Sequence, residues 1–179
     1  MTEQPGRLAA YWERQLDKME EAEQKRARKL PGWRTRKHRR TLVVVLVLAD
    51  LALVTGATRF ETDPKWVFPA FWLGGLVVGG FAFITLRILT GRMSGSFSRL
   101  LDEREREWRH RVTYIGYQAL SYLMLIAMFY GLFGAGTAGR GAMMLSALLV
   151  TGTTIPAIVL GWSLPDDDPE DFEEGMENA

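Results

Sequence analysis

Four long apolar stretches dominate the chain, at about residues 41–58, 66–90, 112–133 and 142–164. A helix crossing the hydrocarbon core of a bilayer needs roughly 20 mainly apolar residues, and each stretch is close to that length. Lipid offers no partner for backbone N–H and C=O groups, so each stretch is expected to be helical. Core helices of a soluble bundle would carry a polar face at helical spacing, and these stretches lack one. The expectation is an all-α, polytopic membrane protein with four transmembrane helices and cytoplasmic helical extensions. The mean hydropathy of −0.03 averages over unlike segments and does not argue against this.

The distribution of charge orients the spans. Residues 1–40 carry twelve Lys and Arg and residues 87–111 carry seven, whereas the other two connections hold only Arg59, Lys65 and Arg140. Basic residues accumulate on the cytoplasmic side of short loops, so the N-terminus, the central loop and the C-terminus are expected in the cytoplasm of a cell whose inner membrane holds the chain. The segments are then a basic N-terminal helix (1–40), a first hairpin (41–90), a charged helical loop (91–111), a second hairpin (112–164) and an acidic tail (165–179). Of the outer connections, 59–65 is short and polar, and 134–141 reads as a flexible glycine-rich turn. About forty polar residues precede the first apolar run, which is not the layout of a cleavable signal peptide.

The chain contains no cysteine, which excludes disulfides and thiolate metal sites. Only His38 and His110 offer imidazoles, and each stands among arginines. No phosphate-binding glycine loop, HExxH or GxSxG sequence occurs. No enzyme activity, cofactor or metal is expected.

Within residues 7–30, Leu8, Trp12, Leu16 and Met19 recur at helical spacing, and Pro31-Gly32 ends the segment. Arg34, Arg36, Lys37, Arg39 and Arg40 then lead into the first span. A basic cluster beside a membrane attracts anionic headgroups by about 1 kcal/mol per residue, so these five are candidate lipid contacts. The plain reading of the segment is a topology signal with an interfacial helix. The sharper one is docking of a protein partner on the Leu8/Trp12/Leu16/Met19 stripe. Nucleic acid is not expected, because Glu13, Asp17, Glu20, Glu21 and Glu23 would repel phosphate.

The central loop contains the run Leu100-Leu-Asp-Glu-Arg-Glu-Arg-Glu-Trp-Arg-His-Arg111. Ser98 can cap its start, and acid-to-base pairs at i,i+4 support a helix that continues the third span from about residue 98. It is either a solvated, self-stabilised helix or a docking element, with Leu101, Asp102, Glu103, Arg104 and Trp108 as the contact residues. The tail has eight acids and no base and is expected to be disordered.

Polar residues inside the spans are the remaining signal. Counting about 1.5 Å per residue puts Asp50, Gln118, Ser121, Thr151 and Thr154 at similar, midplane depth. Pro156 frees the carbonyl of Gly152 in the same layer. Gly75 and Gly79 have the small-xxx-small spacing that lets helices approach closely. An intramembrane acid is costly and marks function by default. Asp50 either fixes helix packing as a protonated or hydrogen-bonded group, or handles protons, ions or a substrate, or pairs with a base from another subunit. Arg87 lies nearer the cytoplasmic face and is expected to snorkel towards headgroups.

Two stretches carry a family resemblance. Residues 38–80, with Trp66-Val-Phe-Pro69, Trp72 and Gly74-Gly75, are similar to the bacterial 2TM domain. Residues 100–166, from the Leu-Asp-Glu-Arg run through Thr154-Ile-Pro156 to Trp162-Ser-Leu-Pro-Asp166, resemble uncharacterised bacterial membrane proteins. The resemblance implies a small multipass protein of mainly actinobacterial type without an assigned activity, and it supplies no catalytic residue. The favoured expectation is an accessory, scaffold or regulatory subunit that presents its cytoplasmic helices to a protein partner or to a second copy, among anionic lipids. The rival is a small oligomeric transporter or proton- or ion-conducting protein built around Asp50.

Overall fold

The computed structural model describes residues 35–90 and 103–164, with side chains from 107 onward in the second stretch. It contains four long helices: α1 (Arg36–Thr58), α2 (Val67–Leu89), α3 (Glu103–Phe129) and α4 (Ala138–Ser163). All four are long and apolar enough to cross a membrane, so the chain is an all-α polytopic membrane protein. The surface agrees with that: Val77 and Phe81 of α2 and Tyr117 of α3 are 68%, 71% and 68% exposed. Water would penalise such outward apolar faces, by about 25 cal/mol per Å², and lipid does not.

Each helix boundary has a local cause. The backbone of Thr35 is extended, and its carbonyl accepts from Arg39 N–H at 3.1 Å to open α1. At the far end Arg59 N–H returns to Gly56 O at 2.9 Å. Pro69 falls in the first turn of α2, where its missing N–H has no intrahelical acceptor to serve. Thr90 closes that helix by donating its N–H and its hydroxyl to Leu86 O, both at 2.9 Å. Helix α3 passes into a single π turn, Tyr130–Gly134. Of the third span's expected extension, the part from Glu103 is helical; residues 98–102 lie outside the described residues, as do Leu8, Trp12, Leu16, Met19, Arg34, Leu101, Asp102 and the acidic tail.

The glycine-rich connection differs from the sequence expectation. Only residues 135–137 form the turn, and Ala138–Gly141 is the first turn of α4. Thr137 is the reason: its extended backbone stops the preceding turn, and its Oγ1 accepts from Arg140 N–H at 3.3 Å, an N-cap that outweighs the poor helix propensity of two glycines.

Helices α1 and α2 pack along their full length as the first hairpin. Helix α4 packs on both α3 and α1, so it joins the two hairpins, while α2 and α3 lie on the flanks. Two apolar clusters fill the interior. One, towards the turns, holds Leu53, Ala57, Ala127, Met144, Ala147 and Leu148. The other, towards the basic end, holds Val43, Leu46, Ala82, Leu86 and Ala157.

Candidate functional site

Glycines bring the backbones together where α1 meets α2. A Cβ on Gly75 would stand 2.9 Å from Ala49 O and 3.1 Å from Leu53 Cγ, and one on Gly79 would be 3.2 Å from Ala49 Cβ. The third sequence-selected packing residue, Pro156, sits against Gly116 of α3, where a Cβ would collide with the proline ring. Gly152 likewise accommodates Leu120, and Gly161 accommodates Leu86 and Val43. Gly116 and Gly161 were not singled out from the sequence, and Gly152 only for its carbonyl. Their signal was there: a glycine in the middle of an apolar span loses helix propensity and needs a close neighbour to justify it.

These contacts set α1 and α4 face to face at the level of Asp50. Its side chain is 5% exposed, and Thr154, at 6%, donates its hydroxyl to Asp50 Oδ2 at 2.7 Å. The pair lies between the two apolar clusters, one turn from Leu46 and Leu53 on α1. Thr154 Oγ1 is also 2.8 Å from Thr151 O. A hydroxyl has one proton, so it serves one acceptor at a time. With a proton on the carboxyl, Asp50 donates to Thr154 while Thr154 donates to Thr151, and both contacts are made at once.

Of the five residues placed in one layer by counting, the structure brings together Asp50 and Thr154, with Thr151 contributing its carbonyl. The Thr151 hydroxyl turns to Ala147 O at 3.0 Å. Gln118 and Ser121 do not join: Gln118 Nε2 donates to Tyr114 Oη at 2.9 Å and the exposed Ser121 donates to Tyr117 O at 2.9 Å, both within α3. They share the depth of Asp50 but not its side of the bundle.

The basic end also departs from expectation. Arg39, selected as a headgroup contact, is 1% exposed and donates from Nη2 to Leu164 O at 3.2 Å. Arg40 is half-buried, with its guanidinium 4.8 Å from the centre of the Trp162 ring, a cation–π contact. Both therefore hold the end of α4 onto the start of α1 rather than reaching outward. A cation at the C-terminus of a helix also complements its dipole. Arg36 and Lys37 are exposed. Of the selected docking residues, Glu103 and Arg104 lie in the first turn of α3 and Trp108 is half-buried.

The turn end is latched too, by residues the sequence reading passed over. Thr137 donates to Glu61 Oε2 at 2.6 Å, and Arg140 Nε donates to Phe60 O at 3.2 Å. A Cβ on Gly139 would meet the Phe60 ring at 2.6 Å. Among the described residues no three His, Asp or Glu side chains come together to hold a metal ion.

A family model described as "Family of unknown function (DUF6498)" matches residues 32–163, which takes in all four helices. No curated protein matches the chain, and no solved structure does.

Proposed function

The chain belongs to the DUF6498 family, of unknown function, and we propose that it is a non-enzymatic accessory, scaffold or regulatory subunit of the membrane. In this reading its four spans are a rigid anchor. The basic N-terminal segment and the charged start of α3 face the cytoplasm and engage a membrane or cytoplasmic partner.

The observation that carries the proposal is the state of Asp50. A transport site needs access, whereas this carboxyl is buried, hydrogen-bonded across α1 and α4, and closed above and below by apolar clusters. An acid held in that way works as a clamp between hairpins. Support also comes from the extracellular side as oriented by charge, where both connections are short and latched to each other.

Two measurements test the reading. Cross-linked purification of the full chain from mild detergent is expected to recover a partner that is lost when residues 7–30 are replaced by a polar linker and Glu103, Arg104 and Trp108 by alanine. Recovery of the same proteins with that variant, or of this chain alone with the native sequence, contradicts the proposal. In proteoliposomes, proton or cation flux above the protein-free background that disappears in Asp50→Asn would instead establish the conducting rival.

A further inference from the structure

Because α2 and α3 stand apart on either flank of α4, they leave a half-open cleft of about 180 Å³ between them. Its walls carry two arginines, Arg87 from α2 and Arg109 from α3, and its apolar lining includes Phe83, Pro156 and Ala157. Thr113 lies on the rim side of α3 and is exposed. Neither arginine belongs to the basic run at 34–40.

Three features fix the chemistry of an occupant. First, Arg109 Nη1 is buried without a hydrogen-bond partner. Arg109 lines the cleft, and a buried unmade hydrogen bond to a charged group costs more than the roughly 1–3 kcal/mol of a neutral one, so a small turn of this side chain towards an acceptor oxygen in the cleft is favoured. Long basic side chains at a membrane surface ordinarily snorkel to water, and this nitrogen does not. Second, Arg87, exposed on the α2 wall, brings a second positive charge to the cleft, and phosphate oxygens match the planar donor geometry of arginine. Third, apart from Thr113 and Thr153 the rest of the lining is apolar, and the volume is below the roughly 300 Å³ of sites that enclose a small soluble ligand. The occupant must then be an amphiphile that inserts only in part.

Depth agrees. Arg87 lies in the last turn of α2 and Arg109 just before the apolar part of α3, which is headgroup level, where basic pockets between spans hold anionic lipid. We propose that this cleft is a specific site for one anionic phospholipid, its phosphodiester held between Arg87 and Arg109 and the start of one acyl chain lying against Phe83, Pro156 and Ala157.

The test is native mass spectrometry of the intact full-length protein, delipidated in mild detergent and titrated with phosphatidylglycerol or phosphatidylcholine. One tightly bound phosphatidylglycerol is expected, at least tenfold preferred over phosphatidylcholine. The double variant Arg87→Gln/Arg109→Gln is expected to lose it at least tenfold, while Lys37→Ala, an exposed basic residue outside the cleft, keeps it. Thr113→Trp retains both charges but fills the void, so it provides a second variant whose loss of binding rests on shape alone and whose helicity is checked by circular dichroism. Unchanged lipid binding in either folded variant overturns the proposal. So does equal binding of the two lipids, or displacement of the lipid by millimolar inorganic phosphate, which would make the cleft a site for a soluble anion.

Discussion

Asp50 and Thr154 show how one hydrogen bond is worth more to a membrane protein's geometry than to its stability. Interhelical hydrogen bonds in bilayers average about 0.6 kcal/mol and reach roughly 1.7, because the separated helices also find partners. Removing the partner alone, in Thr154→Val, strands the carboxyl between two apolar clusters and should cost about 1–3 kcal/mol in detergent unfolding followed by tryptophan fluorescence. Asp50→Asn should remain within about 0.5 kcal/mol of the native chain, since an amide can donate to Thr154 while Thr154 donates to Thr151. If Asp50→Asn is as damaging as Thr154→Val, the clamp is not what holds the residue there. The sequence disclosed the layer but not this pairing. Counting helical rise gives depth, and depth alone grouped Gln118 and Ser121 with Asp50. What separates them is rotation about the helix axis, about 100° per residue, and that is set by packing of α3 on Pro156 through Gly116. The burial of Arg39 was hidden for a similar reason. A run of five bases reads as a solvated cluster, and only the position of the α4 terminus reveals that one of them has a carbonyl to serve.

At the scale of the helices, small residues decide which faces meet. Lipid removes the aqueous driving force between apolar surfaces, so close backbone contact and dispersion do the associating. Gly75 and Gly74 are adjacent in sequence and make opposite predictions. Gly75→Val forces a side chain into the backbone of α1 near Ala49 O and should destabilise the fold by about 1–3 kcal/mol. Gly74→Ala meets nothing within 4 Å and should leave stability unchanged or raise it by up to about 1 kcal/mol through helix propensity. Paired unfolding curves of the two variants check this; equal destabilisation would mean that α2 does not present Gly75 to α1. The helices themselves were legible because a long apolar run in lipid has no alternative to helix. The start of α4 was not, because glycine-rich sequence reads as loop in water, whereas here one threonine cap and contact with Phe60 convert it into the first helical turn.

As a whole molecule, the chain divides into a latched turn end, a clamped midplane and a charged end. Glu61, Thr137 and Arg140 tie the connections at the turn end, and Arg39 and Arg40 tie α4 to α1 at the charged end. The cleft between α2 and α3 interrupts the bundle at the charged end. That polarity matters to both proposals, since partner docking and lipid capture each require the charged end to face the cytoplasm. The absence of native cysteine permits a direct check. Single substitutions Lys37→Cys, Lys65→Cys, Ala138→Cys and Glu107→Cys all fall at exposed positions and can be treated with a membrane-impermeant maleimide in right-side-out and inside-out vesicles. Lys65→Cys and Ala138→Cys are expected to label only in right-side-out vesicles, and Lys37→Cys and Glu107→Cys only in inside-out ones. Labelling of positions 37 and 65 from the same face, or the reverse pattern throughout, would contradict it.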